Sequence, residues 1–243
     1  LFPVGCPVCG KALLEAREAH CGLCLDCMPH FSIDEQERCG GCGRPLISEQ
    51  GRCLPCRARE ERNLDGVWAL YPYQGIFRRL LRAYKFGHSR ALGRFFAEKL
   101  IECLDKGPAR FKTGDHVPVL ERPYLVPAPP RPGKIRRAGW DQVDYLAKLL
   151  RRPYRKGGPG SWENGPLPVY SCLKRLSSQS QKELDRESRK RNLRGRIVCV
   201  RRPPAEVILF DDVITTGYTL DACAAALREQ GAQKVYGLCL FYD

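Results

Sequence analysis

Nine of the 14 cysteines lie within the first 56 residues, and eight of them form four CxxC pairs: Cys6 with Cys9, Cys24 with Cys27, Cys39 with Cys42, and Cys53 with Cys56. A segment this short buries too little apolar surface to hold itself together, so it needs staples, either metal ions or disulfides. The segment also repeats itself: CPVCGKALL at 6–14 matches CGGCGRPLI at 39–47, and CLDC at 24–27 matches CLPC at 53–56. Each unit therefore supplies four thiols, and Gly10 and Gly43 stand where a tight knuckle calls for positive φ. The reading is two zinc ions, one per unit; with every ligand position filled by sulfur they are structural. Disulfides fit a reducing compartment poorly, while an iron–sulfur cluster suits the same spacing. Cys21 makes a further CxxC with Cys24, but the repeat favours Cys24 with Cys27 and leaves Cys21, His20 and His30 as bystanders. Crossed pairing of the units would use the same eight sulfurs.

The remaining five cysteines are scattered singly, which places a domain boundary near residue 57: a cysteine-rich, zinc-binding head over 1–57 and a larger body over 58–243. Hydrophobic residues make up 43% of the 243, enough to fill a core, so the chain is not a disordered one. Lysine and arginine outnumber aspartate and glutamate by 41 to 27, a field that favours nucleotides, sugar phosphates or nucleic acid as partners. No apolar run approaches the roughly 18–20 residues of a membrane span, and LFPVGCPVCG does not read as a secretory signal. A cytoplasmic location is expected.

In the body, residues 67–73 read as a strand, 75–87 and 90–104 as amphipathic helices, 123–130 as a short strand closed by prolines, and 141–150 as a helix. Residues 151–170 read as an exposed excursion, and 171–196 as an irregular stretch that turns helical after Ser180. A strand at 206–210, a helix at 220–230 stopped by Gly231, and a strand at 234–242 complete the chain. Strand, crossover helix and strand specify a parallel sheet, so the body is an α/β domain whose ligands belong at the carboxyl ends of its strands.

The stretch VILFDDVITTGYT stands at such an end. Asp211 and Asp212 would repel each other unless hydroxyl donors or a cation offset the charge. Directly after them, Thr215, Thr216, Gly217, Tyr218 and Thr219 lead into a helix, where free backbone N–H groups and threonine hydroxyls suit a phosphate. A ribose 5-phosphate offers a diol and a phosphate at that separation. The bland reading is a strand end followed by a helix capped by Thr215 or Thr216.

VILFDDVITTGYT resembles the phosphoribosyl pyrophosphate (PRPP) motif of type I phosphoribosyltransferases. The resemblance implies that Asp211 and Asp212 contact the ribose hydroxyls, that Thr215 to Thr219 bind the 5-phosphate, and that magnesium is carried on the pyrophosphate. A cysteine-rich head joined to such a domain is similar to the ComF family, and further pieces agree: YPYQGIFRRLLRAYKFG, PYLVPAPP, RRAGWDQ, and Gln181, Leu184, Arg189 and Asn192. Ala138 stands where that family commonly has arginine, and Asp141 where it has asparagine; both lie beside the implied pyrophosphate loop. In this likeness the body is a type I phosphoribosyltransferase-like α/β fold, a parallel sheet flanked by helices. Its reaction would displace pyrophosphate from C1 of the ribose, with Lys85, Arg137 and Arg189 as candidates to stabilise the leaving group; each of them also reads as part of a solvated basic face. The other reading is a PRPP-sensing or DNA-binding accessory of transformation without chemistry, meeting single- or double-stranded DNA or a competence helicase.

Overall fold

The computed structural model describes residues 4–33, 36–58, 62–105, 124–151, 168–176 and 196–243. Among these, the body is built on a four-stranded sheet in the order β1 (Gly66–Pro72), β6 (Lys234–Tyr242), β5 (Glu206–Ile214), β2 (Tyr124–Pro127), every neighbouring pair being parallel. Helices cover both faces, which is why the strands read as nearly continuous apolar runs. Ile208 and Phe210 of β5 face a core shared with α3 (Gly75–Phe86), α4 (Arg90–Asp105) and α6 (Gln142–Leu150). The alternate residues Val207 and Leu209 face α7 (Tyr218–Glu229) and a small antiparallel pair, β3 (Leu173–Arg175) with β4 (Ile197–Cys199). The chain is thus a mixed α/β structure with a parallel sheet flanked by helices.

Among the described residues, the strands and helices expected in the body are present, with three differences. The strand expected to stop at 210 runs on to Ile214 because Val213 and Ile214 continue to pair with Phe241 and Tyr242. Residues 173–175 are not irregular: they pair with 197–199, a partner too distant in sequence for local patterning to reveal. A short helix, α5 (Lys134–Ala138), occupies the basic loop after β2, started by Gly133 and ended by Gly139. The helix expected after Ser180, and with it Gln181, Leu184, Arg189 and Asn192, lies outside the described residues, as does most of the 151–170 excursion.

The cysteine-rich segment carries α1 (Ala16–Cys21), a 3-10 turn over Met28–Phe31 and α2 (Leu54–Arg57). It shares its packing with the body. Leu23 and Phe31 are fully buried in one core with Leu80, Phe95 and Phe96. Phe31 meets Tyr71, Phe77 and Phe95 edge-on with ring centroids 5.1–6.0 Å apart, and Tyr71 Oη donates to the Phe31 carbonyl at 2.8 Å. Arg17 clasps Glu98 of α4 through both guanidinium nitrogens at 2.9 and 2.6 Å. The second knuckle lies against β1: a Cβ on Gly43 would stand 2.7 Å from the Ala69 nitrogen, and the buried Arg38 donates to the carbonyls of Gly43 and Ala69. No helix among the described residues is long and apolar enough to cross a membrane.

Candidate functional site

The internal repeat of the first 57 residues is a repeat in space. In both knuckles the glycine N–H closes on the first cysteine's carbonyl, Gly10 on Cys6 and Gly43 on Cys39, each at 2.8 Å. The second half of each unit also folds alike, with Cys27 N–H on Cys24 and Cys56 N–H on Cys53. Cys6, Cys9, Cys24 and Cys27 converge in one tetrad, and Cys39, Cys42, Cys53 and Cys56 in another, the four sulfurs of each lying within 4.8 Å of one another. Sequential units therefore pair, not crossed ones.

A tetrahedral zinc with Zn–S bonds of about 2.3 Å sets its sulfurs about 3.8 Å apart. Cys9 to Cys24 is 3.6 Å, Cys39 to Cys53 3.6 Å and Cys42 to Cys53 3.8 Å, so each tetrad could hold a zinc ion without rearrangement. Backbone N–H groups of Gly41 and Cys53 donate to Cys39 Sγ at 3.4 and 3.3 Å, which favours its thiolate. Cys21 is no part of either tetrad: its sulfur faces Glu98 at 3.8 Å, and burial followed by that carboxylate pushes its thiol up to about 11.

The second centre lies on the sheet. β2 stops pairing with β5 at Phe210, so Asp211 and Asp212 continue along β5 beyond the end of one neighbour and face an open crevice. Successive strand residues point to opposite faces. Asp212 turns toward the helical layer, where Lys85 Nζ at the end of α3 reaches its Oδ2 at 2.8 Å and Gln142 Nε2 of α6 donates to the same oxygen. Asp211 turns the other way. Burial first, then the Asp212 charge, pushes its carboxyl up to about 7, while the Asp212 N–H at 2.8 Å and Lys85 pull it down.

These carboxylates open on a cavity of about 610 Å³ whose wall also includes Lys85, Arg131, Lys134, Arg137, Trp140 and Arg175. The wall is thus two-sided: two acids on β5 and an arc of cations from α3, α5 and β3. Arg175 is a cation that sequence reading missed, because only the β3–β4 pairing brings residue 175 here. His88, which no spacing singled out, also lines the cavity; its φ of 49° lies in the left-handed region and its ring rests 5.3 Å from Trp140.

Asp141, which the resemblance sets beside the implied pyrophosphate loop, caps α6 by accepting from Val143 and Asp144 N–H at 3.0 Å. Its other oxygen pairs with Lys134 Nζ at 2.6 Å, so its charge is met locally, at the expense of occupying Lys134.

After the acids the chain turns through Thr215 and Thr216 to Gly217, whose φ of 76° an L side chain rarely adopts, and α7 begins. Gly217, and neither Thr215 nor Thr216, stands at the N-cap, so the cap residue itself brings no side-chain oxygen to the helix start. Thr219 lines the cavity wall, whereas Thr215, Thr216 and Gly217 in the turn and Tyr218 at the start of α7 are not among its lining residues, each at least partly exposed. Such an uncapped N-terminus offers backbone N–H groups and positive dipole to an anion.

No family model matches the chain. Among curated proteins, it is similar to Competence protein F of Haemophilus influenzae, with 26% identity over 88% of this chain and 87% of that protein. Competence protein ComFC of Streptococcus pneumoniae matches at 24% identity over 95% and 96% of the two chains. The DNA utilization protein YhgH of Escherichia coli matches at 26% over 96% of each. Relatives matched almost end to end, on a chain that sets two cysteine tetrads ahead of a parallel α/β body, support membership of the ComF family.

Proposed function

We propose that the crevice beyond β2 binds PRPP with its magnesium, and that the body at 58–243 is a phosphoribosyltransferase unit carried with a zinc-binding head at 1–57. One observation carries this reading: two adjacent carboxylates on the overhanging end of β5, followed five residues after Asp212 by a left-handed glycine that opens an uncapped helix. Asp211 and Asp212 would accept from the ribose hydroxyls, and the 215–219 turn would donate backbone and threonine groups to the 5-phosphate. Arg137, Lys85 and the cations beside them would face the pyrophosphate, whose charge bound magnesium neutralises in part.

In transfer, the bond from C1 to the pyrophosphate oxygen breaks with its electron pair leaving on that oxygen, and a nucleophile such as a ring nitrogen bonds to C1. Positive charge develops on the ribose between the two events, and fixed carboxylates beside it lower its energy. No side chain needs to bond to the sugar. The names of the relatives concern competence and DNA utilization, and we place this chain in the same setting, the handling of incoming DNA.

Calorimetry with PRPP in the presence and absence of magnesium tests the reading, alongside pyrophosphate release with candidate acceptors. Binding that disappears in Asp211→Ala/Asp212→Ala is expected. Absence of both heat and pyrophosphate release in the unaltered protein would sink it. A second reading, a DNA-binding accessory without chemistry, draws on α3, where Arg78, Arg79 and Arg82 are exposed in a chain of net charge +14. It predicts salt-sensitive DNA binding that is indifferent to the aspartate substitutions.

A further inference from the structure

Gln142 joins the two halves of the crevice by a continuous polar chain. Its carbonyl accepts from Lys134 Nζ on α5, and its amide N–H donates to Asp212 Oδ2 on β5. Lys134 is held in turn by Asp141 at 2.6 Å, and Asp212 by Lys85 at 2.8 Å. The ends of this chain are chemically opposite, a cation facing the proposed pyrophosphate side and an anion facing the proposed ribose. A carboxamide serves both with one side chain: it accepts at one end and donates at the other. A carboxylate would set another negative charge among Asp141, Asp211 and Asp212, and an aliphatic residue would break both contacts. Asp141 and Asp212 are 4% and 6% exposed, so solvent does little to screen the chain. The Gln142 backbone is fixed independently, its carbonyl accepting from Tyr84 Oη at 2.7 Å.

We propose that Gln142 is a positioning residue that couples anion binding at the α5 side to sugar binding at Asp212, a step that rests on the PRPP reading above. While Lys134 polarises the carboxamide, the N–H end grips Asp212 and competes with a sugar hydroxyl for it. An anion that draws Lys134 toward itself removes that polarisation and loosens the grip. Asp212 is then a better acceptor for the ribose. The two ligand halves therefore help each other, and by thermodynamic reciprocity each tightens the other by the same factor.

The test is a crossed calorimetric titration on the full-length, zinc-loaded protein with magnesium present. The probes are inorganic pyrophosphate and 1-deoxyribofuranose 5-phosphate, whose missing 1-hydroxyl leaves room for both. In the unaltered protein each should tighten the other by about fivefold or more, the lower end of common coupling factors. In Gln142→Leu and in Gln142→Glu the factor should fall to about one, with the sugar phosphate alone still binding and the circular dichroism of the parent retained. A role in packing alone would weaken both ligands and leave the factor unchanged, and that result overturns the inference, as does a factor of one in the unaltered protein. Failure of the sugar phosphate to bind at all instead removes the PRPP reading, and the coupling with it.

Discussion

Lys85 Nζ lies 2.8 Å from Asp212 Oδ2, with the two side chains 23% and 8% exposed, so the acid assigned to a ribose hydroxyl is neutralised before any ligand arrives. The lysine occupies the last turn of α3, where the helix dipole already favours a cation. Asp211 stands next along the strand, and without Lys85 the Asp212 charge keeps only Gln142 in support while still raising the cost of ionising Asp211. Lys85→Met should cost about 1–3 kcal/mol in urea unfolding, below the figure for a fully buried pair because the lysine keeps some contact with water. Adding Asp212→Asn should recover part of the loss. A cost within about 0.5 kcal/mol, as for an ordinary surface residue, would show that the pair is not structural.

The raised carboxyl of Asp211 gives stability a defined pH slope. Its value is near 3.8 in a free chain and about 7 when folded, so between those limits the folded protein holds a proton that the unfolded chain has released. Stability from this group is then fully present at low pH and is lost as pH rises to about 7; above that the curve is flat. Between pH 6 and pH 8 the loss should be about 1 kcal/mol. Asp211→Asn cannot ionise and should lack this component, becoming more stable than its parent at pH 8 and losing the advantage toward pH 6. Urea melts of both proteins across that window check it; parallel curves would refute the assignment.

The two cysteine tetrads predict a contrast between neighbouring cysteines if each holds zinc. Cys24→Ala removes a ligand and should lower the zinc content from two ions per chain to one, with a large loss of melting temperature because Leu23, Cys24 and Phe31 share the core of α3 and α4. Cys21→Ala keeps both tetrads. It should retain two zinc ions by metal analysis and cost only about 1 kcal/mol, the effect of a small cavity beside Glu98. Equal zinc loss in the two variants would reassign the ligand set.

What the sequence disclosed, and what it withheld, follows from the range of the interactions involved. The CxxC repeat and the apolar, acidic and glycine order of 207–217 are local signals, so the tetrads, β5 and the start of α7 could be read directly. That Asp212 meets Lys85 and Gln142 depends on elements 127 and 70 residues away, and no pattern in one chain encodes such a meeting. Arg175 and His88 were missed for the same reason. Asp141 was legible only in part: the helix was expected over 141–150, whereas the cap that Asp141 makes on α6 and its pairing with Lys134 required the fold.

Gly217→Ala isolates the demands of the turn. A Cβ there would lie 3.6 Å from Ile214 Cδ1, an ordinary contact, so space is not the obstacle; the φ of 76° is. The substitution should cost about 1–2 kcal/mol if the turn keeps its shape, or shift the turn if it does not. Either way the N–H groups ahead of α7 lose their alignment, and affinity for ribose 5-phosphate should fall about tenfold or more in calorimetry. Pyrophosphate affinity should stay near the parent value, because its proposed cations lie on α3, α5 and β3. Equal weakening of both ligands would mean that the turn supports the fold of the whole crevice and not the phosphate in particular.

Asp141→Asn separates the two tasks of residue 141. Asparagine retains a side-chain oxygen for the N–H groups of Val143 and Asp144, and asparagine and aspartate serve about equally as helix caps, so α6 should form as before. What disappears is the negative charge that holds Lys134 at 2.6 Å. The side chain of Asp141 is 4% exposed, so loss of this pair also leaves Lys134 less constrained and spares a buried charge its desolvation. Two consequences oppose each other for stability, lost attraction against relieved desolvation, and the net change should stay within about 1 kcal/mol. For ligands there is no such opposition: a released lysine and one fewer anion beside Arg137 both favour an incoming pyrophosphate. Calorimetry at constant ionic strength should show pyrophosphate binding tightened about threefold to tenfold, with steeper weakening by salt because one more cation takes part. If affinity is unchanged while circular dichroism and melting match the parent, Lys134 does not face the pyrophosphate, and the arc of cations must be reassigned to Arg131, Arg137 and Arg175.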